Sequence, residues 1–294
     1  MKKKLGIIGG SGVYGIEDSI KSVWETIDTP WGKPSDQVLT LSFKNNDICF
    51  IPRHGRKHTI SPLNINSRAN IDALKQKGVT DIISISAVGS LKEELPPGIF
   101  VLVDQFIDTT TGREKTFFDE EIIAHVSMAH PTNNNLVSLC CRSLENQKIH
   151  YKKGATYVAI DGPHFSSKAE SRLYKSWGGD IIGMTNMPEA KLAKEAEIRY
   201  CTVGMVTDYD SWKLENEHVD INSILKTLSE NTILAKKMIK DIINNFDLSS
   251  DENDETHKCL DTAIITPRDK MTEKTMNKLK TIAGRVLFSN DLEQ

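Results

Sequence analysis

Leu5-Gly6-Ile7-Ile8-Gly9-Gly10-Ser11-Gly12 is a short apolar run that stops on a cluster of glycines. Preceded by Met1-Lys2-Lys3-Lys4, it resembles the opening of a secretory leader. However, the glycines and Ser11 break the run, and Glu17-Asp18 follow without a small-residue cleavage site. A buried first strand that ends in a tight turn fits better. Working outward, Ile- and Val-rich runs recur at 38–43, 48–52, 81–86, 99–103, 156–160 and 201–206. Longer stretches with helical spacing lie between or after several of them. Residues 67–77 stop at Gly78, as a helix C-terminus often does. Ser167-Lys168-Ala169-Glu170 is a capping-box pattern opening a helix to about Trp177. Pro188-Glu189 suits the first turn of a helix running to about Tyr200. The spacing is again helical over 219–246 and 272–282. This alternation predicts an α/β fold with a mixed sheet flanked by helices on both faces. No internal repeat or long linker divides the chain, so residues 1–294 are expected to form a single domain, with an acidic surface loop at about 247–258.

Composition narrows the function. Hydrophobic content of 38% and charged content of 26% are those of a soluble globular protein. The net charge of -3, without a basic stripe, argues against a nucleic-acid partner. No apolar stretch approaches the length of a membrane span. Cys49, Cys140, Cys141, Cys201 and Cys259 show neither metal-type nor redox spacing and read as reduced thiols of a cytoplasmic protein.

Several segments supply hydrogen-bond donors at the ends of these elements. The turn Gly9-Gly10-Ser11-Gly12 lets backbone N–H groups approach an anion, with the Ser11 hydroxyl beside them. Gly10-x-Gly12-x-x-Gly15 also matches a dinucleotide fingerprint, but residues 16–32 carry Pro30 and no helical period, so the strand–turn–helix context is missing. Arg53-His54-Gly55-Arg56-Lys57-His58 follows a strand, and a guanidinium fork with an imidazole suits phosphate. The same stretch can be a solvated basic loop. His54 and His58 can be read as a metal pair, yet no helical spacing or acidic third ligand accompanies them. Ser86-Ala87 and Met184-Thr185 stand at a strand end and before a helix, where a strand terminus or helix cap is the plainer role. Together Ser11, Arg53, His54, Ser86 and Thr185 form a convergent donor set for phosphate. Phe165-Ser166 joins an aromatic face to a hydroxyl, either a core pair or a stacking platform for a base.

Thr207-Asp208-Tyr209-Asp210 ends the last buried run. Side chains alternate along a strand, so Asp208 and Asp210 point the same way. In solvent they are an acidic strand end. Facing a pocket, mutual repulsion and burial raise the pKa of one carboxyl, leaving an acid that can donate a proton near neutral pH. Such a pair suits departure of a nitrogen heterocycle.

Gly6–Gly12, Pro52–Ile60, Ser86–Leu91, Asp161–Ser171, Gly183–Ala190 and Thr207–Asp210, in this order, resemble the motifs of the 5'-methylthioadenosine phosphorylases, within the trimeric class of purine nucleoside phosphorylases. The likeness runs from Gly6 to about Leu225. It implies a partly barrel-like sheet, assembly as a homotrimer, and cleavage of methylthioadenosine by phosphate without metal or organic cofactor. It also implies phosphate binding by Ser11, Arg53, His54, Ser86, Ala87 and Thr185. Met184 would meet the ribose, Phe165 and Ser166 would flank the adenine, and Asp208 and Asp210 would bind its N6/N7 edge, with Asp208 catalytic and Tyr209 also binding substrate. Val219, Ile221 and Leu225 would line the methylthio pocket, and His125 of a neighbouring subunit would approach the 5' group. Ser11 and Ser86 stand where Thr is frequent, and His164 where Arg is common, which puts a charged role there in doubt.

Overall fold

A long central strand that changes neighbours part-way along its length organises the fold. The computed structural model describes residues 3–10, 21–43, 46–213, 221–246 and 254–288. Its strands are β1 (Leu5–Gly9), β2 (Lys21–Glu25), β3 (Val38–Phe43), β4 (Asn46–Pro52), β5 (Asp81–Ser90), β6 (Phe100–Leu102), β7 (Gln105–Asp108), β8 (Tyr151–Lys153), β9 (Thr156–Ala159), β10 (Ile181–Gly183) and β11 (Arg199–Tyr209). The helices are α1 (Ser67–Gln76), α2 (Asn134–Asn146), α3 (Lys168–Ser176), α4 (Glu189–Glu195), α5 (Ile221–Asn245), α6 (Glu273–Lys278) and α7 (Lys280–Leu287). One mixed sheet of 11 strands runs β2-β3-β4-β1-β5-β10-β9-β7, with a branch through β11 and β6 to β8.

β5 is the branch point. One edge pairs parallel with β11 along its whole length, while the other pairs parallel with β1 as far as Ile85 and antiparallel with β10 from Gly89. Ser86–Val88 therefore lie where β5 passes from one neighbour to the next, so the sheet opens at mid-strand. The strand expected to end at residue 86 continues to Ser90.

Helices cover both faces, as the alternating pattern predicts. Ile71, Leu74, Ala193, Ile282 and Leu287 pack one face from α1, α4 and α7. Leu136, Cys140, Leu144, Met238 and Ile242 pack the other from α2 and α5. The capping box of α3 is formed: Ser167 N donates to Glu170 Oε2 at 2.8 Å and Glu170 N to Ser167 Oγ at 3.2 Å. No helix among the described residues is long and apolar enough to cross a membrane.

Three expected boundaries shift. The helix expected to run from Pro188 to Tyr200 ends at Glu195, because Glu197 takes a left-handed φ of 55°. A non-glycine residue pays strain for that conformation. Here Arg285 Nε holds the Glu197 carboxylate at 2.9 Å and Leu260 N donates to it at 3.2 Å. The closing helix divides into α6 and α7. In the expected surface loop, residues 247–253 lie outside the described residues, but Glu255–Lys258 forms a packed 3-10 turn. Asp254 anchors it by accepting from Asn133 Nδ2 at 2.7 Å.

Candidate active site

The strand ends around the opening in the sheet enclose a cavity of about 630 Å³. β4 delivers Arg53 and His54, β5 delivers Ser86–Gly89, and β10 leads into Met184 and Thr185. The turn after β9 supplies Phe165 and Ser166, β11 supplies Thr207, Asp208 and Asp210, and α5 supplies Ile224, Leu225 and Leu228. Residues spread over most of the sequence thus meet at one site.

Arg53 is 1% exposed, and its guanidinium is held on all sides. Nε and Nη2 donate to Glu189 at 2.9 and 3.2 Å, Nη1 to the Ile85 carbonyl at 3.0 Å, and Nη2 to Ser84 Oγ at 2.5 Å. A guanidinium has five N–H groups, so these bonds commit four of them. Glu189 also accepts from Ser84 Oγ at 2.6 Å and Tyr200 Oη at 2.7 Å. Asn186 Nδ2 lies 2.8–3.0 Å from the hydroxyl oxygens of Ser84, Tyr200 and Thr202, which share its two N–H groups. Glu189 and Asn186 escape a reading of the sequence alone: Pro188-Glu189 looks like an ordinary first helical turn. The ion pair neutralises most of Arg53's charge, so a bound anion depends on neutral donors as well. Ser86 Oγ and Thr185 Oγ1, 2.9 Å apart, stand ready for that role. Gly183 makes space for the Tyr157 phenol, whose oxygen accepts from Thr185 N at 3.4 Å. A Cβ on Gly183 would collide with that oxygen.

His54 is not the cation that a basic cluster suggests. Burial, and then the neighbouring Arg53 charge, push its pKa down to about 4. Nδ1 lies 2.9 Å from the Ile60 carbonyl and must donate to it, which leaves Nε2 as the acceptor nitrogen of a neutral ring. Its suitable partner is a hydrogen-bond donor. Its neighbour His58 packs against it with ring centroids 4.7 Å apart.

At the β11 end, a register shift between Val206 and Asp208 sets Asp208 opposite Gly89. Bulges of this kind re-aim side chains. The missing side chain at Gly89 makes the space, since a Cβ there would lie 3.6 Å from Asp208 Oδ2 and 3.1 Å from Ile182. Thr207 Oγ1 fixes the other Asp208 oxygen at 2.7 Å. Burial, with a smaller contribution from Asp210, raises the Asp208 pKa to about 6. Burial raises Asp210 too, tempered by the nearby Ser171 and Ser166 hydroxyls. Asp210 Oδ2 and Ser166 Oγ are buried and have no hydrogen-bond partner of ordinary geometry among the described residues. Such atoms are costly unless a ligand satisfies them.

The sequence-derived set is only partly gathered here. Arg53, His54, Ser86, Ala87, Thr185, Met184, Phe165, Ser166, Asp208, Asp210 and Leu225 all line the cavity. Tyr209, expected to bind substrate, points away, its hydroxyl donating to the Glu93 carbonyl at 3.0 Å and its ring edge-on to Trp212, because strand alternation turns it from the cavity. His125 lines a separate cavity of about 620 Å³ with Met128, Lys191 and Glu195. His164 is exposed and does not line the main cavity. Ser11 and Val219 lie outside the described residues, and Ile221 is described only as the first residue of α5.

A cavity at strand ends with a buried arginine, paired hydroxyls and a raised carboxyl pair has the makings of a glycosyl-transfer site. The chain belongs to the phosphorylase superfamily, whose family model matches residues 4–244. Within it the chain falls among the S-methyl-5'-thioadenosine phosphorylases. It is 49% identical over 284 residues to that of Rhodospirillum rubrum, covering 96% of this chain and 97% of that enzyme. It is 48% identical over 290 residues to that of Cereibacter sphaeroides, covering 98% and 99%. Among solved structures, it superposes with a TM-score of 0.88 at 40% identity on a methylthioadenosine phosphorylase from an antarctic soil metagenomic library, covering 96% of this chain and 99% of that one. On the Schistosoma mansoni methylthioadenosine phosphorylase in complex with adenine, the TM-score is 0.83 at 32% identity, covering 89% and 99%.

Proposed function

We propose that the chain catalyses phosphorolysis of S-methyl-5'-thioadenosine, giving adenine and 5-methylthioribose 1-phosphate, as the names of its relatives and the form of its cavity indicate. The observation that carries this reading is the Asp208–Asp210 pair, with a carboxyl pKa of about 6, in the same cavity as the Arg53–Ser86–Thr185 donors. As the C1'–N9 bond breaks, its electron pair passes to the purine and positive charge develops on the sugar. Asp208 donates a proton to N7. A phosphate oxygen, held by Ser86, Thr185, Arg53 and the backbone at Ala87, attacks C1'. Holding phosphate beside the sugar removes much of the entropy cost of a bimolecular step. Phosphate is the nucleophile and Asp208 the acid, so the proposed reaction calls for no cofactor.

Asp210 Oδ2, a buried acceptor with no partner of ordinary geometry among the described residues, suits the N6 amino group of adenine, whereas a 6-oxo purine would set acceptor against acceptor. A substrate panel tests this reading. Adenine release from methylthioadenosine should exceed hypoxanthine release from inosine by a wide margin, and equal rates would contradict the assignment of the base edge.

The 5' group is read by apolar burial. Leu225 lines the cavity beside Ile224 and Leu228 yet is 56% exposed, as befits a wall that a methylthio group covers. Such a group in place of hydroxyl gains about 1–3 kcal/mol in an apolar pocket. Leu225→Asp should erode the kcat/KM preference for methylthioadenosine over adenosine more than it harms adenosine cleavage. An equal loss on both substrates would place Leu225 outside the 5' pocket.

The proposed assembly is a homotrimer working in the cytoplasm, with His125 reaching a neighbour's site. His125 does not line its own chain's main cavity, so that role requires a second copy. Sedimentation combined with activity over a dilution series checks it: folded monomers should lose most turnover, and fully active monomers would refute a shared site.

A further inference from the structure

We propose that Arg113 is the positioning residue that keeps the phosphate half and the base half of the cavity in register, an inference that rests on the reading of the cavity as a phosphorolysis site. Arg113 stands between β7 and α2 and does not line the cavity, yet its side chain is only 6% exposed. Its guanidinium donates to four main-chain carbonyls. Nη1 reaches Met184 O at 2.8 Å and Met187 O at 2.7 Å, while Nη2 reaches Ile160 O at 3.2 Å and Asp161 O at 2.9 Å. The first pair belongs to the turn after β10, which presents Met184 and Thr185. The second pair opens the turn after β9, which leads to Phe165 and Ser166. One side chain therefore bolts together the two turns that would hold phosphate and base.

The clamp is itself anchored. Nε lies 3.3 Å from Asp161 Oδ1, and Asp161 Oδ2 accepts from Thr111 N at 2.9 Å and Thr111 Oγ1 at 2.8 Å. The turns also touch each other directly. Gly162 has a φ of 66°, and a Cβ there would collide with the Met184 side chain. Only a glycine lets the two turns come this close, so their relative position matters to the packing of Met184. A planar fork with five donors can serve four carbonyls at once, whereas an ammonium on a flexible stem cannot span them. Without the fork the carbonyls lose their donors and the turns are free to part. A displacement of about 1 Å between reacting groups costs roughly a hundredfold in rate.

Steady-state kinetics of the full-length protein test this, with methylthioadenosine and inorganic phosphate each varied for the parent, Arg113→Ala and Arg113→Lys. Arg113→Ala should raise KM for both substrates, each about tenfold, and lower kcat by a similar factor. Circular dichroism should report a folded chain, and millimolar guanidinium ion should restore part of the activity. Arg113→Lys keeps the charge but should show the same paired rise in KM, in weaker form. Folded variants with both KM values unchanged would overturn the proposal. So would failure of both variants to fold, which would make Arg113 a stability residue. A parent without phosphorolysis would overturn the earlier reading of the site, and the clamp's role with it, in the parent's own assay.

Discussion

Asp208→Asn is expected to cut methylthioadenosine cleavage by about two to four orders of magnitude, the usual worth of a positioned general acid. It should also shift relative preference toward 6-oxo substrates such as methylthioinosine. A protonated Asp208 donates to N7 and accepts from N6 through its other oxygen. An Asn amide offers N–H donors, which suit O6 and N7 together. The ratio of kcat/KM for the two nucleosides decides the matter, and an unchanged ratio would mean that Asp208 does not read the base. The pH profile follows from the same group. With a pKa of about 6, the acid form dominates below that pH, so the parent's kcat/KM for the nucleoside should fall as pH rises through 6. The Asn variant should lose this limb. Stability supplies a readout independent of activity. The folded pKa exceeds the ordinary value of 3.8, so the folded state holds the proton more tightly. Stability is therefore lost as pH rises from about 4 through 6. A shift of two units corresponds to about 3 kcal/mol. Asp208→Asn should unfold at a higher temperature than the parent at pH 8 but not at pH 4, and a lower melting temperature at pH 8 would contradict burial of the charged form.

Arg53→Ala carries the second large effect, and it acts in two ways. If the remaining N–H of Arg53 meets phosphate, losing a charge-assisted bond in a dry site costs about 1.5–3 kcal/mol, or roughly ten- to a hundredfold in phosphate use. The same substitution strands Glu189, whose side chain is 2% exposed, without its counter-ion. Removing one partner of a buried pair typically costs about 3–5 kcal/mol. The variant should be both poor at binding phosphate and markedly unstable. Arg53→Met combined with Glu189→Gln removes both charges and should recover much of the stability without the phosphate affinity. Phosphate KM from initial rates and unfolding midpoints in urea separate the two effects. Unchanged phosphate saturation in a folded single variant would remove Arg53 from the phosphate site.

What the sequence disclosed, and what it hid, follows from how each feature is encoded. The strands are local runs of apolar residues, and the capping box at Ser167 is a local pattern, so both were legible. The carboxylate pair was legible because strand alternation is a property of adjacent residues, and that same rule takes Tyr209 out of the cavity although the resemblance had placed it there. The branch at β5 depends on which strands pair with it, and nothing within Asp81–Ser90 records that. Glu189, Asn186 and Arg113 act across long sequence separations, so their roles exist only once the chain is folded. The early end of α4 was hidden because Glu197 takes a left-handed conformation without the usual glycine. α2 did leave a trace: Asn133 caps it by accepting from Asn135 N and Leu136 N at 3.0 and 3.1 Å, just before apolar residues at helical spacing.

Product analysis with and without inorganic phosphate tests phosphorolysis most directly. Purified protein incubated with methylthioadenosine should release adenine and 5-methylthioribose 1-phosphate in equal amounts, at a rate that saturates with phosphate and vanishes when phosphate is omitted. Adenine released at an undiminished rate without phosphate, together with free 5-methylthioribose, would instead identify a hydrolase and contradict the phosphate site built around Arg53, Ser86 and Thr185.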